Sequence, residues 1–111
     1  AAGVDGIIVS SHGGCQLDSV HPPILALRAI RDALGNAYPL FYDSGIRSGE
    51  DIVKAYAMGA NYVFVGRALL FAMAAGGETG LARMVEIMEK QVSITLAQMG
   101  LSSMLDIPAL R

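Results

Sequence analysis

Ala57-Met58-Gly59-Ala60-Asn61-Tyr62-Val63-Phe64-Val65-Gly66 repeats the pattern that opens the chain, Ala1-Ala2-Gly3-Val4-Asp5-Gly6-Ile7-Ile8-Val9-Ser10. In each copy small residues and a glycine lead into a short apolar run that stops at serine or glycine, as where a helix ends and a buried strand begins. The second copy follows an amphipathic stretch and closes a helix. The first is expected to begin at the end of a helix that precedes it. A third run, Leu40-Phe41-Tyr42, lies between them.

Helical patterns alternate with these strands. Pro22-Pro23 suits a first turn, where a missing N–H does no harm, and Ile24, Leu27, Ile30 and Leu34 then form a stripe as far as Gly35. Ser48 and Asp51 make a capping-box start for a second helix carrying Ile52, Val53, Ala55 and Tyr56 until Gly59. Leu69 to Ala75 reads as a short helical turn. Thr79 to Met99, with Leu81, Met84, Val85, Met88, Val92 and Leu96 on one side, reads as a covering helix closed by Gly100. Met84, Met88 and Met99 are expected to fill core, and Ser103 to cap a last turn before Pro108.

Strands joined through helices are parallel, in an open sheet or a barrel. Three strands cannot close a barrel. A (β/α)8 barrel takes about 250 residues, so a chain of 111 residues is expected, if the fold is a barrel, to be a fragment of one.

Composition narrows the function classes. The chain is 53% hydrophobic with a net charge of −2, which supplies a core and leaves no basic face for nucleic acid. No continuous apolar span reaches membrane length, and no signal-peptide pattern opens the chain. One cysteine, Cys15, makes no internal disulfide, so a reducing compartment is the default. No metal-ligand spacing occurs.

The polar groups cluster at the three strand exits. The first run leads into Ser10-Ser11-His12-Gly13-Gly14-Cys15, the second into Asp43-Ser44-Gly45-Ile46-Arg47, and the third into Gly66-Arg67. Glycines beside an arginine are where backbone amides and a guanidinium meet an anion, and a histidine at a strand end can move a proton. Plainer readings stand beside these. His12 and His21 can be ordinary loop residues, Arg47 can cap a helix or pair with Glu50 or Asp51, and Arg67 can make a strand-end ion pair.

His12-Gly13-Gly14 with Gln16-Leu17-Asp18, then Asp43-Ser44-Gly45-Ile46-Arg47-Ser48-Gly49, then Gly59-Ala60 and Val65-Gly66-Arg67, in this order and spacing, resemble the FMN-dependent α-hydroxy acid dehydrogenases and oxidases. The resemblance runs over nearly the whole chain, including Gly76-Gly77-Glu78. It implies an α/β fold in which residues 1–111 are the C-terminal part, about the last three βα units, of a TIM (β/α)8 barrel. It also implies FMN-dependent oxidation of an L-2-hydroxy acid such as lactate or glycolate to the 2-oxo acid, the fragment being inactive alone.

By the same resemblance His12 is the catalytic base. Asp43, Gly45, Arg47, Gly66 and Arg67 surround the FMN phosphate and ribityl chain, with Asp43 on a ribityl hydroxyl. Cys15 stands where the family usually carries the arginine that grips the substrate carboxylate, and Ser11 where asparagine is common. Cys15 is thereby a substrate-binding position without the usual donor, which opens a second reading: a non-catalytic flavin- or phosphate-binding barrel. The family further implies a small-molecule 2-hydroxy acid as partner, no nucleic acid, and a homo-oligomer at full length. A cytoplasmic location is expected, with peroxisomal or membrane-associated settings left open.

Overall fold

The computed structural model describes residues 3–108; Ala1 and Ala2, at the head of the first repeat copy, lie outside them. The elements run β1 (Ile7–Val9), a 3-10 turn at His12–Gly14, α1 (Pro23–Leu34), β2 (Leu40–Tyr42), α2 (Gly49–Ala57), β3 (Tyr62–Val63), α3 (Arg67–Gln98) and a last 3-10 turn at Met104–Asp106. The three strands form one parallel sheet in the order β1-β2-β3, with Ile7 opposite Leu40, Val9 opposite Tyr42 and Tyr42 opposite Val63. The repeat holds in the backbone too: Gly3 and Gly59 both take positive φ, +72° and +108°.

Side chains alternate across a strand, so each run has two faces. Val9, Leu40 and Tyr42 point under the helices and are buried with Leu27 of α1 and Ala55 of α2. Burying Leu27 and Leu40 completely contributes roughly 1.5–3 kcal/mol each. Val53 and Ala57 on the other side of α2 pack with Leu96 and Ile107, so α2 is held between the sheet and α3. The opposite sheet face is bare among the described residues. Ile8 and Tyr62 are each 59% exposed there and Phe64 44%, with the Tyr62 and Phe64 rings meeting edge to face at 5.4 Å.

The caps follow the expected chemistry. Asp51 N–H donates to Ser48 Oγ while Ser48 N–H donates to the Asp51 carboxylate, closing the capping box of α2. Gly35 ends α1 with its N–H on Arg31 O, and Ser103 Oγ accepts from Leu105 N–H.

Both helical segments expected after β3 are present: α3 breaks from helical geometry at Gly76 and Gly77, a kink that separates a first helix, starting at Arg67 rather than Leu69, from the longer second one. Two expectations are corrected. The third strand stops at Val63, short of Val65, because its partner β2 ends at Tyr42, the residue opposite Val63. Met88 is buried, but Val85 and Met99 are exposed. The nine residues of α2 span roughly 13 Å and cannot cover all of α3, and the chain turns back after Met99 so that Leu101 and Ile107 reach α2 instead.

Candidate active site

All three strands end on the same edge of the sheet, and their exits enclose a cavity of about 400 Å³. His12, Cys15, Asp43, Gly45, Arg47, Gly66 and Arg67 all line it, with Phe64 and Leu70 as apolar wall. Residues 55 positions apart in sequence are thus brought together by the parallel register alone.

The first exit is a tight turn. His12 has φ +52°, uncommon for a residue with a Cβ, and its N–H donates to Ser10 Oγ at 3.0 Å. Its ring is exposed and has no hydrogen-bond partner among the described residues. Arg67 crosses from the third exit to this turn, its Nη2 lying 3.4 Å from Gly13 O. A Cβ on Gly13 would stand 3.1 Å from that nitrogen, so a side chain there would push the guanidinium outward by a few tenths of an ångström, and the φ of +66° at this position itself favours glycine.

At the second exit the alternative roles of Arg47 are taken by other groups. Its main-chain N–H donates to Asp51 Oδ2 at 3.1 Å, the same oxygen that receives Ser48 N–H and Ser48 Oγ. Glu50 pairs with Lys54 at 2.7 Å. The Arg47 guanidinium has no carboxylate partner among the described residues, and neither does that of Arg67. At the third exit Gly66 caps α3, which begins at Arg67; Leu69 and Leu70 N–H donate to Gly66 O, which leaves the N–H groups of Arg67 and Ala68 without an acceptor in the helix.

A hydroxyl network ties the first two exits together, and sequence reading missed it. Ser10 Oγ donates to Asp43 Oδ1 at 2.6 Å and Ser44 Oγ donates to the same oxygen at 2.7 Å. Ser11 N–H and Ser11 Oγ both donate to Ser44 Oγ, at 3.0 and 3.1 Å. Val9 is opposite Tyr42, so continuing the register puts Ser10 beside Asp43 and Ser11 beside Ser44. That alignment of strand ends is the signal that would have found the network.

Beneath it Tyr42 donates its hydroxyl to Ser44 O at 3.0 Å. Burial first, and then the nearby Asp43 and Asp51 carboxylates, push its pKa above the usual tyrosine value, so it stays a donor. His21 is exposed and does not line the cavity, as an ordinary loop residue would be. Among the described residues no cluster of histidine, cysteine or carboxylate side chains can hold a metal, and no helix is long and apolar enough to cross a membrane.

Residues 1–110 match the sequence model of the FMN-dependent dehydrogenases. The chain belongs to that family. It is 44% identical over 107 residues to an L-lactate dehydrogenase of Serratia proteamaculans, covering 96% of this chain and 28% of the relative. An L-lactate dehydrogenase of Pectobacterium atrosepticum is 45% identical over 105 residues, covering 95% and 27%. The backbone superposes on a mandelate oxidase with a TM-score of 0.90 at 38% identity, covering 98% of this chain and 33% of that one. Another mandelate oxidase structure, a variant holding a monooxide FMN adduct, matches with the same TM-score of 0.90 and identity of 38%, covering 98% and 35%. The fold is part of a TIM (β/α)8 barrel, and the chain spans from about a quarter to just over a third of the length of these proteins.

Proposed function

We propose that the protein carrying this chain oxidises an L-2-hydroxy acid to the 2-oxo acid with FMN, and that this chain supplies the base and the phosphate-binding loops. The observation that carries the reading is the convergence of His12, Arg47 and Arg67 on one cavity at the edge where the strands end, the edge on which such barrels keep their chemistry. The L-lactate dehydrogenase and mandelate oxidase relatives make lactate and mandelate the first acids to try.

The residues fit a flavin phosphate. Two guanidinium forks are free of carboxylates, and nothing lies within 4 Å of where a Cβ would stand on Gly45 or Gly66, so backbone amides can approach an anion closely. The free N–H groups at the start of α3 add donors beside Arg67. Asp43 accepts from two serines through Oδ1. Its Oδ2 has no protein donor among the described residues and suits a ribityl hydroxyl, since a carboxylate cannot accept from a phosphate dianion.

The oxidation removes two protons and two electrons from the substrate. What FMN would supply when bound is acceptance of the two electrons together with one of the protons. His12 takes one proton, a task suited to an imidazole exposed at the cavity wall with no competing partner. Cys15 lines the same cavity, at the position that the family resemblance gives to the substrate carboxylate, where a thiol offers no forked contact. This favours a second reading, flavin binding without turnover. In the full-length protein, His12→Ala should keep the bound-FMN spectrum while anaerobic bleaching by lactate or mandelate slows by roughly two to four orders of magnitude. Bleaching at the parental rate contradicts the role of His12, and a parent that binds FMN but is bleached by no 2-hydroxy acid establishes the second reading.

A further inference from the structure

We propose that Ser44 is a positioning residue, a clamp that fixes the His12 turn to the loop carrying Arg47. The inference rests on the reading of His12 as the base and deepens it. Ser44 has φ +91°, a conformation that glycine takes freely and serine does not. A serine there needs compensation from its side chain, and the hydroxyl is fully used: it accepts from Ser11 N–H and Ser11 Oγ and donates to Asp43 Oδ1. Ser11 immediately precedes His12, and Ser10, whose Oγ accepts the His12 N–H, ends on the same Asp43 oxygen. The main chain at His12 is therefore held from both sides by groups that belong to, or converge on, the second loop.

Ser44 fixes the main chain from which the His12 ring projects, and so helps to set where the proton acceptor stands.

Two variants of the full-length protein separate this role from a merely structural one. Ser44→Gly removes the hydroxyl and relieves the backbone, whereas Ser44→Ala removes the hydroxyl and keeps the strain. Ser44→Ala should melt below Ser44→Gly. Both should nevertheless lose the same factor in flavin reduction, on the order of ten- to a hundredfold, as displacement of a reacting group does, with KM and FMN affinity little changed. In the apoprotein the Ser11 and His12 amides should exchange with solvent deuterium faster in both. Reduction at the parental rate in Ser44→Gly overturns the clamp, as does a loss that follows melting temperature, or a loss of FMN affinity as large as the loss of rate. If His12→Ala also reduces flavin at the parental rate, the proposed function fails with it. If His12→Ala is slow and the Ser44 variants are not, only the clamp fails.

Discussion

Arg31 and Arg47 put one kind of side chain to opposite uses at the two ends of the same sheet. Arg31, on α1, lies where the strands begin and is only 8% exposed. Its guanidinium donates to Gly35 O, Tyr38 O, Gly59 O and Asn61 Oδ1 at 2.6–3.0 Å. It ties the segments that enter β2 and β3, and its donors are spent on three main-chain carbonyls and one side-chain amide oxygen. Arg47 lies where the strands finish, exposed, with its guanidinium committed to nothing among the described residues. The entry end is stabilised by satisfying its polar groups. The exit end carries positive φ at His12, Gly13, Gly14, Ser44 and Gly45, and its two guanidinium groups, without carboxylate partners among the described residues, are the ones the proposed function assigns to the cofactor. This division matches the general one in parallel α/β barrels, stability at one end and chemistry at the other.

The comparison breaks most visibly at Arg31. Arg31→Ala strips four acceptors of a buried charged donor, and should cost on the order of 3 kcal/mol of stability, read as a lower melting temperature. FMN affinity of the folded protein should barely move. A large loss of FMN affinity at an unchanged melting temperature would put Arg31 at the wrong end of the molecule.

A smaller effect is expected from Cys15→Arg. A forked cation beside the cavity should improve capture of the substrate carboxylate, lowering KM more than it raises kcat, because it contacts a part of the substrate that does not react. Steady-state kinetics on lactate, glycolate and mandelate check this, and a loss across all three would show that the thiol is fitted to its own substrate.

The smallest effect belongs to Tyr42, which supports the exit loops from below. Its pKa is raised in the folded protein. The stability this contributes is fully present below the unfolded tyrosine value of about 10 and is lost as pH rises from there through the folded value. Melting temperature should therefore fall in that alkaline range, and Tyr42→Phe should flatten the fall. An equal fall in both proteins would assign it to other groups.

The sequence showed the exit end better than the entry end. Glycines beside His12, Arg47 and Arg67 leave a mark because they interrupt apolar runs, and the capping box of α2 is written in Ser48 and Asp51. Arg31 lies within a helical stripe and looks like any solvated charge. Its burial depends on carbonyls up to 28 positions away, which no local pattern reports. The hydroxyl network was hidden for the same reason, since Ser10 and Asp43 are neighbours only through the pairing of β1 with β2. The exposure of Ile8 and Tyr62 was equally unreadable, because both faces of a parallel strand are apolar in sequence whether or not both are covered.

The most direct test of the exit end as the cofactor site is FMN titration of the full-length apoprotein and its Arg47→Ala and Arg67→Ala variants, followed by flavin fluorescence. Each substitution removes a charge-assisted contact to the phosphate and should lower affinity by about 1.5–3 kcal/mol, with the melting temperature of the apoprotein nearly unchanged because neither guanidinium holds a carboxylate among the described residues. Unchanged FMN affinity in both variants would contradict the account.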